Sequence, residues 1–480
     1  MDCLKLYRKE KVKTKLALER VHSRICLTSD VWTSSTSEGY ISLTSHYVDE
    51  NWVLQSKIIN FCHIPPPHSG NVLSEKVYGF IKEWGIEKKI FSLTLDNASN
   101  NDKMEDILKT QLSLQGVLLC GGDFFHVRCC AHILNLIVQE GLKVASEALQ
   151  KIRESVKYIK GSEGKRIKFG ELAEQFGVRT VKGLRLDVST RWNSTFLMLE
   201  SALIYRLVFG HLALIDPNYK YHPSEEEWDR AEKICKFLKP FYDITTLFSG
   251  SKYPTANLYL QNVWKIQLCL IEEMESRDEV VSSMARQMKP KFDKYWDSYS
   301  IVLAIAAILD PRFKFPFVEF CYKRLGAHWD PYRKLEIVRR EMYKLFEAYE
   351  VQHSSKVTMA HSSIESGLDP HSLATKDVIS EFDNYESEFV VTEKSELDLY
   401  LQEPRLDRIK NLNLDILEHW KSMAERYPIL SLMARDILSI PITTVASESA
   451  FSIGSKVLNK YRSSLRPDNA ESLICTRTCV

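Results

Sequence analysis

A chain of 480 residues with 44% apolar and 26% charged content can bury a sizeable core in roughly two to four domains, which excludes a disordered or fibrous protein. Its 64 basic and 63 acidic side chains leave a net charge of +1, so nucleic-acid contact would rest on local patches, not on a cationic molecule. The 11 scattered cysteines read as reduced thiols of an intracellular protein, and the longest apolar stretch, Ile301 to Leu309, is about half of what a bilayer crossing needs.

Residues 1–24 form a basic segment. Residues 2 to 24 carry eight basic side chains (Lys5, Arg8, Lys9, Lys11, Lys13, Lys15, Arg20, Arg24) against three acids. It reads either as a solvated helix face or as a phosphate-contacting or nuclear-import segment. The run of charge also lacks the apolar core of a signal peptide.

From Ile25 the pattern turns to strands. Ile25 to Trp32 opens apolar, Tyr40 to Val48 alternates Ile41, Leu43, Ser45 and Tyr47, and Asp49-Glu50-Asn51 supplies a turn into Trp52 to Phe61. Val72, Leu73, Val77, Phe80, Ile81 and Trp84 recur at helical spacing, and Gly85 stops that helix. Ile90 to Leu95 is a buried-type strand, and Asn97 is expected to cap a helix carrying Met104, Ile107, Leu108 and Leu112. Phe124 to Arg128 and a helix with Ile133, Leu134, Ile137 and Val138 complete the order β-β-β-α-β-α-β-α.

Residues 151–350 read as helical throughout, most clearly Arg191 to Leu214, Glu225 to Phe248, Thr255 to Met274 and Lys334 to Tyr349. Residues 351–395, rich in Ser, His, Thr and acids, read as a flexible linker. Helices resume in residues 396–480: Leu414 to Arg426, Pro428 to Leu438, Val445 to Val457, and a short last one opened by Pro467. Ile429, Met433 and Ile437 line one stripe there, and Val445, Phe451, Ile453 and Val457 add apolar surface, an arrangement suited to self-association.

Two carboxylates stand out by position. Asp30 lies on the first strand in LTSDVWTSS, and Asp96 ends the fourth in LTLDNASNN. If those strands pair, the acids sit side by side; ionised carboxylates repel, so one protonates or a cation bridges them. Oxygen ligands of this kind suit Mg²⁺ or Mn²⁺, and two such ions can clamp both oxygens of a phosphodiester displacement. Glu448, in TTVASESAFSIGS, is the best third acid. The plainer alternatives stay open: Asp30 and Asp96 as strand-end turn residues, Asp96 in a helix cap, and Glu448 as a first-turn glutamate favoured by the helix dipole.

Seven motifs occur in order: LTSDVWTSS, GYISLTSHYVDENW, LTLDNASNN, FHVRCCAHILNL, STRWNSTFLML, ILDPRFK and ARDILSIPITTVASESAFSIGSKVLNKYRSSLRP. Together they closely resemble hAT-superfamily transposases, particularly the plant ricesleeper-like group, from about Arg24 to the C-terminus. The resemblance implies an α/β fold: an RNase H-like core whose first part is residues 25–150, interrupted by an all-helical insertion over 151–350. Residues 396–480 would be a C-terminal dimerisation region contributing the last acid. It also implies catalytic, metal-holding roles for Asp30, Asp96 and Glu448, with Mg²⁺ or Mn²⁺ if the protein is active.

The family's Cys-x-x-His falls on Cys129 and His132, which a helix would place on one face; a buried thiol beside a hydrogen-bonded histidine is the plain alternative. Arg128, Cys129, His132, Arg191 and Trp192 are thereby implied in DNA binding, with Arg191 on phosphate and Trp192 stacked on bases. An indole there belongs by burial habit in a core. No structural zinc is expected, since Cys120, His126 and Cys130 lack a second Cys-x-x-Cys pair.

Relatives usually begin with a BED zinc finger, and no Cys-x-x-Cys followed by paired histidines precedes the first strand here. This points to a truncated or host-adopted copy. The expected function is a nuclear, transposase-derived protein that homodimerises and associates with DNA. An active transposase is the alternative, and a pure interaction scaffold the weaker third.

Overall fold

The computed structural model describes residues 3–34, 37–178, 183–296, 300–324, 330–365, 394–457 and 467–477. Five strands, β1 (Ile25–Thr33), β2 (Gly39–Val48), β3 (Leu54–His63), β4 (Ile90–Leu95) and β5 (His126–Arg128), form one sheet in the order β3-β2-β1-β4-β5. β1 pairs antiparallel with β2 and parallel with β4, and β2 pairs antiparallel with β3. The helices are α1 (Cys3–Arg20), α2 (Gly70–Trp84), α3 (Ser99–Leu114), α4 (Cys130–Leu142), α5 (Ser146–Lys160), α6 (Glu163–Gln175) and α7 (Trp192–Ile204). They continue with α8 (Arg206–Ile215), α9 (Glu225–Phe248), α10 (Tyr259–Met274), α11 (Glu279–Trp296), α12 (Ile301–Ile308), α13 (Lys314–Lys323) and α14 (Pro331–Glu365). The C-terminal set is α15 (Glu396–Gln402), α16 (Ile416–Ser422), α17 (Pro428–Leu438), α18 (Val445–Val457) and α19 (Pro467–Arg477). This is the RNase H-like core with helical insertions that the motifs imply. Among the described residues no single helix is long and apolar enough to cross a membrane.

The period of two along a strand sends alternate side chains to opposite faces. Ile25, Leu27, Ile41, Leu43, Ile90 and Leu93 share a core with Leu73, Val77 and Ile81 of α2 and Met104 and Leu108 of α3. Every residue of β2 is buried, so its other face is covered too. There Tyr40, Ile58 and Phe61 pack with Ala450, Phe451, Ala470 and Ile474 of α18 and α19. The β2–β3 register slips between Leu43 and Thr44. That bulge lets Ile59 point to one core while Ile58 and Phe61 serve the other.

Local chemistry sets the helix ends. Ser69 accepts from the Val72 backbone N–H to start α2, and Gly85, at φ 66°, closes it in the left-handed conformation that glycine adopts without strain. Trp84 donates its indole N–H to Asn60 Oδ1 at 2.7 Å, tying α2 to β3. The residue capping α3 is Ala98, not Asn97, and Asp96 Oδ1 accepts from the Ala98 N–H instead. The carboxylate thus supplies the local acceptor that was expected from the amide.

Two compact units emerge. One comprises residues 1–127, 251–260 and 300–480, and the other residues 128–250 and 261–299. The helical unit therefore begins at β5, before residue 151, and residues 300–350 belong with the sheet: α12 and α14 both pack on α17. Helical periodicity cannot say which core a helix joins. In the second unit Gly141 of α4 stands where a Cβ would meet the Met288 side chain at 2.6 Å, so α4 and α11 pack closely. The expected helix Arg191 to Leu214 is broken at Tyr205 into α7 and α8, bent by 67°. The expected linker also differs in extent: residues 351–365 continue α14, and residues 366–393 lie outside the described residues.

Candidate active site and nucleic-acid interface

The parallel register pairs Thr28 with Thr94. Carried two places on, it sets Asp30 beside Asp96, one residue past the end of β4, on strands that lie about 4.8 Å apart. Asp30 Oδ1 accepts from the Val31 N–H at 2.8 Å. Asp96 Oδ1 accepts from the Ala98 N–H at 3.0 Å and from Asn101 Nδ2 at 2.5 Å. Both carboxylates are half-buried, so each keeps a path to solvent or ligand.

The face of β1 that carries Asp30 also carries Cys26, Thr28 and Trp32, and the C-terminal segment runs along it. Cys26 Sγ lies 3.3 Å from Ser439 Oγ, Thr28 Oγ1 lies 3.0 Å from Ser447 Oγ, and the Trp32 ring stacks on Phe451 at 5.7 Å between centroids. On β4, Thr94 donates to the Pro441 carbonyl at 2.7 Å. Asp30 falls between Thr28 and Trp32, and Glu448 falls between Ser447 and Phe451. Anchors on both sides thus hold the backbone of Glu448 against the strand that bears Asp30. Glu448 is half-buried in the first turn of α18.

The donor set suits a hard divalent cation in part. Ser42, directly across the strand pair from Asp30, has a buried hydroxyl with no hydrogen-bond partner, so the floor beside the two aspartates has unused polar capacity. Among the described residues, however, no three His, Cys, Asp or Glu side chains are gathered closely enough to hold a metal ion. The parallel register places Asp30 on β1 next to the end of β4 where Asp96 lies, and the Ser447 and Phe451 anchors place the backbone of Glu448 over the same sheet face.

Sequence reasoning missed the support beneath the acids. His46 on β2 is buried, its Nε2 lies 3.2 Å from Thr28 Oγ1, and Thr28 in turn reaches Ser447. Burial pushes the His46 pKa from 6.5 down to about 3, so the imidazole is neutral. The signal was present in the chain: Ser42, Thr44 and His46 alternate with Ile41, Leu43 and Tyr47, polar residues repeating on a face that had to be covered.

The implied DNA-contacting residues lie in the other unit and divide by exposure. Arg128 and Arg191 are exposed and His132 is half-buried. Trp192 is only 1% exposed, so it does not stack on bases in this conformation. Its N–H, at the start of α7, donates to Asn135 Oδ1 of α4 at 3.2 Å. Cys129 is buried at the N-cap of α4 and offers no contact surface. Both corrections follow from the helix starts facing inward: the residue before each, Arg128 or Arg191, takes the outward place. The loop before α7 is fastened by Gln139, which donates to the Ser189 carbonyl, and by Arg153, bidentate on the buried Asp187.

The expected dimer stripe is corrected as well. Met433, Ile437 and Phe451 are buried within the chain, and Ile453 and Val457 pack against the sheet-face core. Apolar periodicity marks a face that needs cover but not what covers it.

Comparison with known proteins gives a consistent placement. Residues 28–124 match the "ZBED1 RNase-like domain" and residues 127–237 the "ZBED1 RNase-like helical domain". Residues 257–349 match "hAT-like transposase, RNase-H fold", and residues 396–479 the "hAT family C-terminal dimerisation region". The chain is 38% identical to the zinc finger BED domain-containing protein RICESLEEPER 2 of Oryza sativa subsp. japonica, over 98% of this chain and 67% of that protein. It is 35% identical to DAYSLEEPER of Arabidopsis thaliana, over 99% of this chain and 66% of the relative. For RICESLEEPER 4 of the same rice the identity is 34%, over 98% and 72% respectively. The chain thus spans about two thirds of the length of these relatives.

Proposed function

The chain belongs to the hAT transposase superfamily, in its ricesleeper-like group, and we propose that it acts as a nuclear, transposase-derived protein that homodimerises and associates with DNA. The observation that supports DNA association is the pairing of two helix starts in one unit. Arg128 precedes α4 and Arg191 precedes α7, both exposed, and Asn135 ties one helix to the other. A helix start carries partial positive charge, so an exposed cation just ahead of it reinforces a phosphate-binding place. α1 adds exposed Lys5, Arg8, Lys9, Lys13 and Arg20 on the first unit.

Such contacts neutralise phosphates without reading bases, so binding should be weakly selective and should fall steeply with salt. Anisotropy titrations of a mixed-sequence duplex between 50 and 200 mM NaCl, ranges chosen because counterion release is resolved there, test this; roughly 0.9 in log–log slope is expected per phosphate contact. Arg128→Ala and Arg191→Ala should each lower that slope by about 1. Slopes unchanged in both variants would overturn the assignment. A fluorescent fusion excluded from the nucleus would overturn the localisation.

A second reading, strand cleavage and transfer, is favoured by the β1–β4 register that sets Asp30 beside Asp96 under the helix carrying Glu448. Asp30 and Asp96 would hold Mg²⁺ or Mn²⁺, with Glu448 as the third ligand; its three side-chain torsions give it reach from a fixed backbone. A bound divalent ion supplies charge neutralisation at the phosphate and a lowered pKa for the attacking oxygen. In cleavage, water adds to phosphorus as the bond to the 3′-oxygen breaks, leaving a 3′-hydroxyl. In transfer, that hydroxyl displaces a 3′-oxygen of target DNA, one phosphodiester forming as another breaks. The protein's share is to align DNA ends beside the C-terminal ends of β1 and β4 and exclude competing water. Cleavage of pre-nicked or hairpin ends with Mn²⁺, abolished by Asp96→Asn, is the expected result. Equal behaviour of the two proteins would leave the non-catalytic reading.

A further inference from the structure

The region matching a dimerisation family, residues 396–479, spends its amphipathic helices on the chain's own core. Among its described residues the large apolar side chains that stay exposed are Leu399 at 44%, Ile409 at 77% and Leu412 at 67%. Ile409 and Leu412 sit on a short coil between α15 and α16, not on the helices.

Isolated exposed apolar residues are ordinary on a protein surface. These two differ in how firmly the chain beneath them is held. The motif ILDPRFK, between α12 and α13, grips the segment from below. Arg312, bidentate on the fully buried Asp310, also donates to the carbonyls of Asn411 at 3.4 Å and Leu412 at 3.3 Å. The Leu406 N–H donates to the Pro311 carbonyl at 3.0 Å. Lys314, buried, donates to the Tyr400 and Glu403 carbonyls at 2.7 and 3.0 Å. Above them, Asp407 Oδ1 accepts from the Ile409 N–H at 2.8 Å, which sets the turn. Coil that presents apolar side chains with its backbone already ordered loses little entropy on docking.

We propose that the coil around Ile409 and Leu412 is the self-association surface of this chain, with a second copy as its occupant. Continuity argues for that occupant: the coil lies inside the dimerisation region and carries its most exposed apolar side chains, while the helical stripe is used internally. A two-fold pairing would set each coil against its symmetry mate or the adjacent helix. The inference rests on the homodimer reading above, and ILDPRFK becomes a positioning element for the interface.

The test uses the full chain, treated with nuclease so that DNA held by Arg405, Arg408 and Lys410 cannot bridge copies. Sedimentation equilibrium compares wild type with the double variant Ile409→Glu, Leu412→Glu. A control carries Leu207→Glu and Leu214→Glu, on α8 and equally exposed at 71% and 82%. Wild type and control should be dimers, and the double variant should associate about thirtyfold or more weakly with an unchanged circular dichroism spectrum. A double variant as tightly dimeric as wild type would overturn this surface and leave homodimerisation intact. Dissociation of the control would likewise place the contact elsewhere. A wild type that is monomeric at tens of micromolar would overturn the homodimer reading itself. Arg312→Lys, which keeps the charge but loses the fork, should weaken association partway while α12 and α13 remain folded; full wild-type association would overturn the positioning role of ILDPRFK.

Discussion

On one face of the sheet Ile25, Leu27, Ile41, Leu43 and Leu93 meet α2 and α3, helices that follow their strands within the first 127 residues. On the other, Cys26, Thr28, Asp30, Ser42 and His46 are covered by helices from the far end of the chain; the Thr28–Ser447 contact joins residues 419 positions apart. The first face is held by apolar burial, which is non-directional and tolerates small errors of fit. The second joins a smaller apolar cluster around Phe61 and Phe451 to hydrogen bonds that need named partners, and it leaves Ser42 unpaired beside the candidate site. A fold can therefore be secured on one side while the other carries groups whose first task is not stability.

The largest expected effect tests the apolar side. Leu43 is fully buried, and Leu43→Ala should cost about 2–5 kcal/mol in urea unfolding through lost burial and the cavity left behind. A loss under about 1 kcal/mol would mean that this face does not dominate stability.

The polar side should reveal itself through pH. The unfolded chain protonates His46 near 6.5, whereas the folded chain resists protonation until about 3. Stability from the neutral imidazole is therefore fully present above 6.5 and is lost as pH falls, by at most about 1.4 kcal/mol per unit. Unfolding free energies between pH 6.5 and 4.5 should slope downward in wild type and flatten in His46→Gln. Parallel curves would show that the buried histidine is not a structural determinant of that face.

The smallest stability effect should come from the candidate site. Asp30→Asn removes one of two neighbouring carboxylates, so its unfolding free energy should stay within about 0.5 kcal/mol of wild type or rise slightly. Adding Mg²⁺ or Mn²⁺ should raise the wild-type melting temperature and leave that of the variant unmoved, because ligand binding stabilises only a protein that binds it. A loss above about 2 kcal/mol would make Asp30 a structural residue and erase the contrast between the faces.

Much of this architecture was legible beforehand. Alternation over Tyr40 to Val48, the spacing Val77, Phe80, Ile81, Trp84, and Gly85 each encode their element within a few residues. The positions of Asp30 on the first strand and of Asp96 just past the fourth were legible for the same reason. What escaped involved choices among equivalent local signals. Asp96 outcompeted Asn97 as acceptor at the start of α3, and Tyr205 broke a helix whose apolar pattern runs on. Trp192 went into the core while Arg191 took the surface. Ile409 and Leu412 carry no periodic signal, so a search for amphipathic helices passes over them.

By itself the amino-acid order determined where strands and helices form, which faces demand cover, and, through its ordered motifs, the family. Those properties follow from backbone sterics, side-chain period and short-range capping, interactions that span a turn or a strand. Only the tertiary structure decided that α18 lies over β1, that His46 and Ser447 meet through Thr28, and that the stripe Met433, Ile437 is internal. Such pairings join residues hundreds of positions apart. No local preference encodes them, because burial rewards any matching apolar face and only the completed packing selects one.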